Sequence, residues 1–335
     1  MEVCYLKPFY SGTHGSIFCI DAFDFIKKVD TESVDLVFTS PPFDLITQKA
    51  YGNLNGEQYQ NWLSDYCQEF RRILKPTGSM VLDFGGGWTK GSPTKNLYEY
   101  RFLLNAVDNH GFHLAQDCFW WDPTRLPTPA QWVNVTRERL KDSVNKLWWL
   151  SKTANPKADN SQVLKRYSKR MQSVFTNGTN VGVRSTGHTV SENFEKDNGG
   201  AIPPNLIALS NSVRDEEYFN FCKENSLPVH PARFHPLLPE FFIRFLTEPG
   251  DLVLDPFAGS CITGSVAEKL KRNWICLEIE EDYVSGAISR FINQKEPKKT
   301  SSPASYSIQA PFFGNQKDNE PLVKKTQLPL FYDEK

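Results

Sequence analysis

Apolar positions along this chain follow two alternating patterns. Short apolar-rich runs, the mark of largely buried strands, stand near residues 15–21, 34–39, 79–84, 112–121, 144–150, 252–255 and 274–278. Between them apolar residues recur at helical spacing. Phe23 and Ile26 follow the first run, and Tyr59, Trp62, Leu63, Tyr66, Phe70, Ile73 and Leu74 form one stripe. Residues 97–109, 237–245 and 263–270 complete the set. Strand alternating with helix predicts an α/β fold, a doubly wound and mostly parallel sheet with helices on both faces.

The interruptions carry the chemistry. Val34 to Thr39 stops abruptly at Ser40-Pro41-Pro42-Phe43, because successive prolines supply no N–H and fix their own φ. The motif reads either as a proline turn or as a rigid rim of carbonyls, a hydroxyl and an aromatic ring, suited to a flat molecule with an amino group on its edge. Lys75-Pro76-Thr77-Gly78 closes the long helix. Gly85-Gly86-Gly87 lacks the Lys-Ser/Thr pair of a phosphate loop and reads as a strand-end loop. Asp21, at the end of the first strand, stands where such folds place ligands and is equally a favoured helix N-cap. Leu252 to Glu278 reads as strand, tight Gly turn, helix, strand and terminal acid. In a nucleoside-binding half of this fold, Gly259 allows close backbone approach and Glu278 accepts ribose hydroxyls.

Composition changes after about Ser151. Between Asn134 and Arg184 eleven basic residues face only Glu138, Asp142 and Asp159, and a polar, turn-rich stretch follows. Within a chain of net charge −1 this is a local positive patch, either a solvated surface insertion or a footprint for phosphate and base contacts. Lys152, Lys165, Arg166, Lys169, Arg170 and Arg184 are its candidates. The expected organisation is a catalytic half over 1–150, a recognition region over 151–228, a cofactor half over 229–292, and a linker and tail over 293–335. Seven scattered cysteines show no metal-ligand spacing, and no apolar run approaches a membrane span. A reducing cytoplasm and no membrane partner are the expectation.

Thr39-Ser40-Pro41-Pro42-Phe43 early and Asp255-Pro256-Phe257-Ala258-Gly259-Ser260 late resemble, in that order, the circularly permuted β class of DNA methyltransferases acting on exocyclic amino groups. Gly250-Asp251-Leu252-Val253-Leu254, the Lys75-Pro76-x-Gly78 turn and His230-Pro231-Ala232-Arg233-Phe234 share the resemblance, which spans roughly residues 5 to 292. A serine opening the motif is most similar to the N4-cytosine enzymes of restriction–modification systems; adenine N6 is the alternative. The resemblance implies S-adenosylmethionine as cofactor, with Asp255, Pro256, Phe257, Ala258, Gly259 and Ser260 along it. Glu278 would hold the ribose, Asp21 the adenine amino group, and Pro231 and Phe234 the methionine end. Ser40, Pro41, Pro42 and Phe43 would grip a cytosine flipped from duplex DNA. Cys261 stands where the family often has glycine. A bacterial or phage origin and an endonuclease acting on the same site are further implications. Gln327-Leu328-Pro329-Leu330-Phe331 resembles the short peptides that bind the bacterial sliding clamp, through Gln327, Leu328, Leu330 and Phe331.

Overall fold

The apolar run at 34–39 becomes a strand whose six residues are all buried, because both of its faces are covered. Leu36 and Phe38 enter one hydrophobic layer and Val37 the other, as the two-residue period of a strand requires. In a computed structural model of the protein, residues 6–43, 54, 56–178, 182–183, 186–187, 189–190, 195–211 and 215–292 are described.

The strands in chain order are β1 (Tyr10–Ser11), β2 (Gly15–Cys19), β3 (Val34–Thr39), β4 (Leu74–Phe84), β5 (Gly87–Trp88), β6 (Lys95–Asn96), β7 (His113–Trp121), β8 (Val144–Ser151), β9 (Gly182–Val183), β10 (Thr189–Val190), β11 (Leu206–Ala208), β12 (Leu252–Asp255) and β13 (Asn273–Glu278). The helices are α1 (Ala22–Ile26), α2 (Gly56–Ile73), α3 (Tyr98–Asp108), α4 (Lys169–Asn177), α5 (Glu216–Glu224), α6 (Leu237–Leu246), α7 (Ile262–Lys269), α8 (Glu281–Ala287) and α9 (Ser289–Ile292). One sheet runs β1-β2-β13-β12-β3-β4-β8-β7-β11. Only β1 and β8 run against the others in it. Helices α1, α2 and α3 pack on one face, and α6, α7, α8 and α9 on the other.

Two motifs separated by more than two hundred residues therefore meet. β12 lies directly beside β3, with Val253 opposite Leu36 and Leu254 opposite Val37. The Lys75–Gly78 turn ends α2 and then interrupts the β3–β4 ladder: Leu74 pairs with Val34, but the next partner of β3 is Ser79, opposite Leu36. Lys75 reaches back to the buried Asp35 at 2.7 Å.

The described beginning and end of the segment 151–228 join the main sheet and its helices. Its start runs along the end of the sheet where β3 and β12 begin, with the Lys157 N–H bonded to the Thr77 carbonyl and its Nζ to Asp251 at 2.6 Å. Val163 enters the core beside α6. Its end returns as β11, paired parallel to β7, and as α5, packed on α8 and α9. These two elements escape the periodicity analysis for a physical reason. β11 is only three residues long, and α5 buries only Tyr218 and Cys222, one turn apart.

Candidate active site

Because β2, β13, β12, β3, β4 and β7 are parallel, their carboxyl ends lie along one edge of the sheet, and β8 begins there. A cavity of about 680 Å³ opens along this edge. Its lining joins the two distant motifs: Ser40, Pro41, Pro42 and Phe43 on one side, and Pro256, Phe257, Ala258, Ser260 and Glu278 on the other. Asp21, Pro231 and Phe234 also line it.

At the catalytic end, the rim follows β3 directly. The Phe43 ring lies against Gly85, where an added Cβ would come within 2.6 Å of it. Gly85, in the loop that follows β4 as the sequence predicts, is thus also the seat of that ring. Behind Ser40 stands Asp83, on β4, an acid that sequence patterning passes over as part of an apolar strand. It is 3% exposed, so its carboxyl has almost no water to share its charge. Burial pushes its pKa up to about 6, while the Asn145 amide, the charge of Arg125 and the Ser40 hydroxyl favour ionisation. Ser40 Oγ donates to the Asp83 carbonyl at 3.3 Å. Asn145, the second residue of β8, donates Nδ2 to Asp83 Oδ1 at 2.8 Å and accepts from Arg125 Nη1 at 2.7 Å. Ser40, Asp83, Asn145 and Arg125 all line the cavity.

At the other end, Glu278 closes β13. Its Oε2 accepts from the Gly259 N–H at 2.9 Å, and its Oε1 accepts from the N–H groups of Ile279 and Glu280 at 2.9 and 3.0 Å. Burial raises its pKa against the pull of those three N–H groups. Asp21 proves to be an N-cap as well as a cavity residue. Both of its carboxylate's hydrogen bonds, from Phe23 N–H at 2.8 Å and Asp24 N–H at 3.1 Å, fall on Oδ1. Three aromatic residues of α2, Tyr59, Trp62 and Tyr66, add a wall that the stripe reading assigned wholly to the core. Phe257 packs on two of them, with centroids 5.5 Å from Trp62 and 5.1 Å from Tyr66.

Several expected site residues sit elsewhere. Asp255 is 1% exposed and does not line the cavity. Its two oxygens are taken by hydroxyls, Thr39 Oγ1 on β3 and Thr263 Oγ1 on α7, each at 2.6 Å. It fastens β12 and α7 to β3. Gly259 is also absent from the lining. Its φ of +50° and the His230 ring, 2.7 Å from where a Cβ would stand, exclude a side chain. That glycine makes room for a histidine, not directly for a ligand. His230 in turn stacks edge-on against Tyr283, and burial lowers its pKa. Cys261 adopts a left-handed φ of +52° at the start of α7, the conformation that accounts for glycine being common there.

Among the basic candidates, Lys152 stands at the opposite end of the sheet. Its Nζ bonds Glu32 at 3.0 Å and the Leu74 carbonyl at 2.8 Å, so it is spent on structure. Lys165 pairs its backbone with Ala201. Arg166 is exposed, and Lys169 and Arg170 are exposed in the first turn of α4, which holds no acid there. None of these four lines the cavity. Arg184 and the 327–331 peptide lie outside the described residues. Among the described residues no helix is long and apolar enough to cross a membrane, and no cluster of potential metal ligands occurs.

Comparison with known proteins agrees with this geometry. The sequence model of the DNA methylase family (N6_N4_Mtase) matches residues 34–289. The chain is 44% identical over 290 residues to the type II methyltransferase M.PvuII of Proteus hauseri, covering 86% of each protein. It is 25% identical over 280 residues to the type II methyltransferase M.HpaI of Haemophilus parainfluenzae, covering 82% of this chain and 73% of that one. Of solved structures, the PvuII DNA methyltransferase (cytosine-N4-specific) aligns with a TM-score of 0.71 at 40% identity, over 87% of this chain and 92% of that one. With most of the chain matched and both halves of the cavity built from the matched motifs, the protein belongs to the DNA methylase family.

Proposed function

We propose that this protein transfers a methyl group from S-adenosylmethionine to the exocyclic N4 of a cytosine flipped out of duplex DNA. The observation that carries the reading is the cavity itself, in which an amino-gripping rim and a nucleoside-binding acid face one space. Its volume lies within the range of ligand sites, roughly 300–1,000 Å³. The residues present fit the cofactor: Glu278 offers carboxylate lone pairs to a ribose diol, and Phe257 and Ile279 offer apolar surface to a purine. Pro231 and Phe234 close the opposite wall. When bound, the cofactor supplies an electrophilic sulfonium methyl.

The chain's own residues deal with the amine. The lone pair of cytosine N4 is delocalised into the ring, which makes it a poor nucleophile. The Pro41 carbonyl and the Ser40 hydroxyl accept the two amino hydrogens and localise that pair on nitrogen. Positioning of this kind replaces a nucleophilic side chain. The N4 proton then leaves through Ser40 toward Asp83, whose pKa near 6 keeps it ionised at neutral pH. Phe43 stacks on the flipped base, worth about 1–3 kcal/mol, and offsets part of the roughly few kcal/mol that flipping costs. Ser40 and the similarity to a cytosine-N4-specific enzyme favour cytosine over adenine N6.

Outside the cavity, Arg166, Lys169 and Arg170 are the proposed phosphate contacts, joined by Arg184. An endonuclease cutting the same sequence is the proposed partner in a bacterial restriction–modification system, since the relatives are type II methyltransferases. A sliding-clamp contact through 327–331 is a separate proposal, refuted by unchanged clamp pull-down after removal of residues 323–335. The central test is incubation of the purified protein with duplex DNA and S-adenosylmethionine, followed by mass analysis of the nucleosides. N4-methylcytosine supports the reading, and N6-methyladenine overturns the choice of base.

A further inference from the structure

Arg125 has no part in the reaction just described, yet it faces the same cavity. It lies in the loop after β7 and is half-buried beside the Trp120 ring, 5.8 Å from guanidinium carbon to centroid. Its Nη1 donates to Asn145 Oδ1, and Asn145, 4% exposed, is itself fixed by donating to Asp83. This chain holds the guanidinium in one orientation. Among the described residues no carboxylate forms an ion pair with Arg125, and its Nε and Nη2 donate to no described residue. A half-buried cation with undelivered N–H groups in a ligand cavity is set up for an acceptor on the ligand.

The order of groups along this wall identifies the acceptor. Ser40 and Pro41 present acceptors, and Arg125, three hydrogen bonds further on through Asp83 and Asn145, presents donors. Cytosine carries the complementary series along one edge: the N4 amino donor, then the N3 and O2 acceptors. Adenine matches the amino group and one ring nitrogen but has C2–H where cytosine has O2. Thymine and guanine place a carbonyl at the amino position, which the rim acceptors repel. We infer that Arg125 donates to O2 of the flipped cytosine and is the residue by which the cavity distinguishes cytosine from adenine. The inference rests on the N4-cytosine reading above. It also accounts for a burden that Ser40 alone would carry, since a hydroxyl that both donates and accepts discriminates poorly between two amino groups.

The test changes one atom on the base. Single-turnover methyl transfer is measured on duplexes carrying cytosine or 2-thiocytosine at the modified position, with the wild-type protein and with Arg125→Met. Sulfur is a weak acceptor, so the wild-type rate should fall about ten- to a hundredfold more than the variant's on the same exchange, the span expected for one hydrogen bond to a charged group. Altered base pairing by sulfur affects both proteins alike and cancels. On a third duplex, with adenine at that position, the variant should show a narrower preference for cytosine. Equal sulfur penalties in the two proteins overturn the inference, whatever Arg125→Met does to the overall rate. Full transfer to cytosine N4 with equal penalties leaves the N4 reading standing and removes only the role of Arg125. A duplex that gains no methyl at cytosine removes the N4 reading itself.

Discussion

Two buried aspartates, one on β4 and one on β12, share residue type, burial and an upward pKa shift to about 6, yet they stand in different settings. Asp83 lies on the cavity wall beside an amide and a serine hydroxyl, with Arg125 beyond. Asp255 is sealed between two threonine hydroxyls and does not line that cavity. The difference teaches that a shifted pKa marks burial, whereas exposure to a ligand space marks chemistry. It also shows that an acid within a binding motif can be a fastener. One holding Thr39 beside the first turn of α7 keeps the two sides of the cavity in register.

The comparison is most directly broken by substituting each acid. Asp83→Asn should lower the single-turnover rate by about a hundred- to ten-thousandfold, the usual range for losing a positioned proton acceptor, while cofactor affinity measured by calorimetry stays near wild type. An unchanged rate would sink the proposed proton route. Phe43→Ala comes next, with about ten- to a hundredfold lower activity on duplex DNA from lost stacking. A target cytosine opposite a mismatch should recover part of that loss. Equal losses in activity and cofactor affinity would show that Phe43 builds the cofactor wall instead. Asp255→Asn should lower unfolding stability by about 1–3 kcal/mol in denaturant titration, since an amide cannot accept from both threonines as the carboxylate does. Its effect on rate should be smaller than that of Asp83→Asn, and the reverse order would erase the distinction drawn here.

The pH profile sharpens the same contrast. Transfer should fall as pH drops through about 6, where Asp83 takes up a proton, and Asp83→Asn should abolish that inflection while Asp255→Asn keeps it. Stability runs in the opposite sense. Each folded-state pKa is raised above the unfolded value near 3.8, so the folded protein binds more protons between about 4 and 6. These two groups therefore make stability fall as pH rises across that window, and each Asn variant should flatten the slope. The smallest effect concerns the basic segment: Lys169→Ala with Arg170→Ala should reduce the salt slope of DNA binding by about one per phosphate lost, and Lys152→Ala should leave it unchanged.

Much of this was legible in the sequence. Buried strands announce themselves as short apolar-rich runs, and Ser40-Pro41-Pro42-Phe43 could be placed at a strand end because proline cannot continue a ladder. Glu278 and Phe257 reached the cavity as expected. What stayed hidden depended on partners far along the chain. Asp83 reads as a blemish in an apolar strand until β8 brings Asn145 beside it. Gly85 and Gly259 read as loop or ligand glycines until the rings of Phe43 and His230 are seen in their space. Lys152 counted toward a positive patch because composition has no direction, whereas β8 carries it to the far edge.

The placement of β12 between β13 and β3 has a consequence for how the molecule is made. Without residues 252–278, β3 has no neighbour on that side, and the sheet falls into two pieces, β1-β2 and β3-β4-β8-β7-β11. An unfinished chain would carry, at its open edge, a strand whose residues are all buried in the complete protein. Such an edge invites pairing with other chains. Pairing over so long a loop is also slow to find. The motif Ser40 to Phe43 thus precedes by more than two hundred residues the strand that covers β3, and the cavity cannot close until β12 and β13 have joined the sheet.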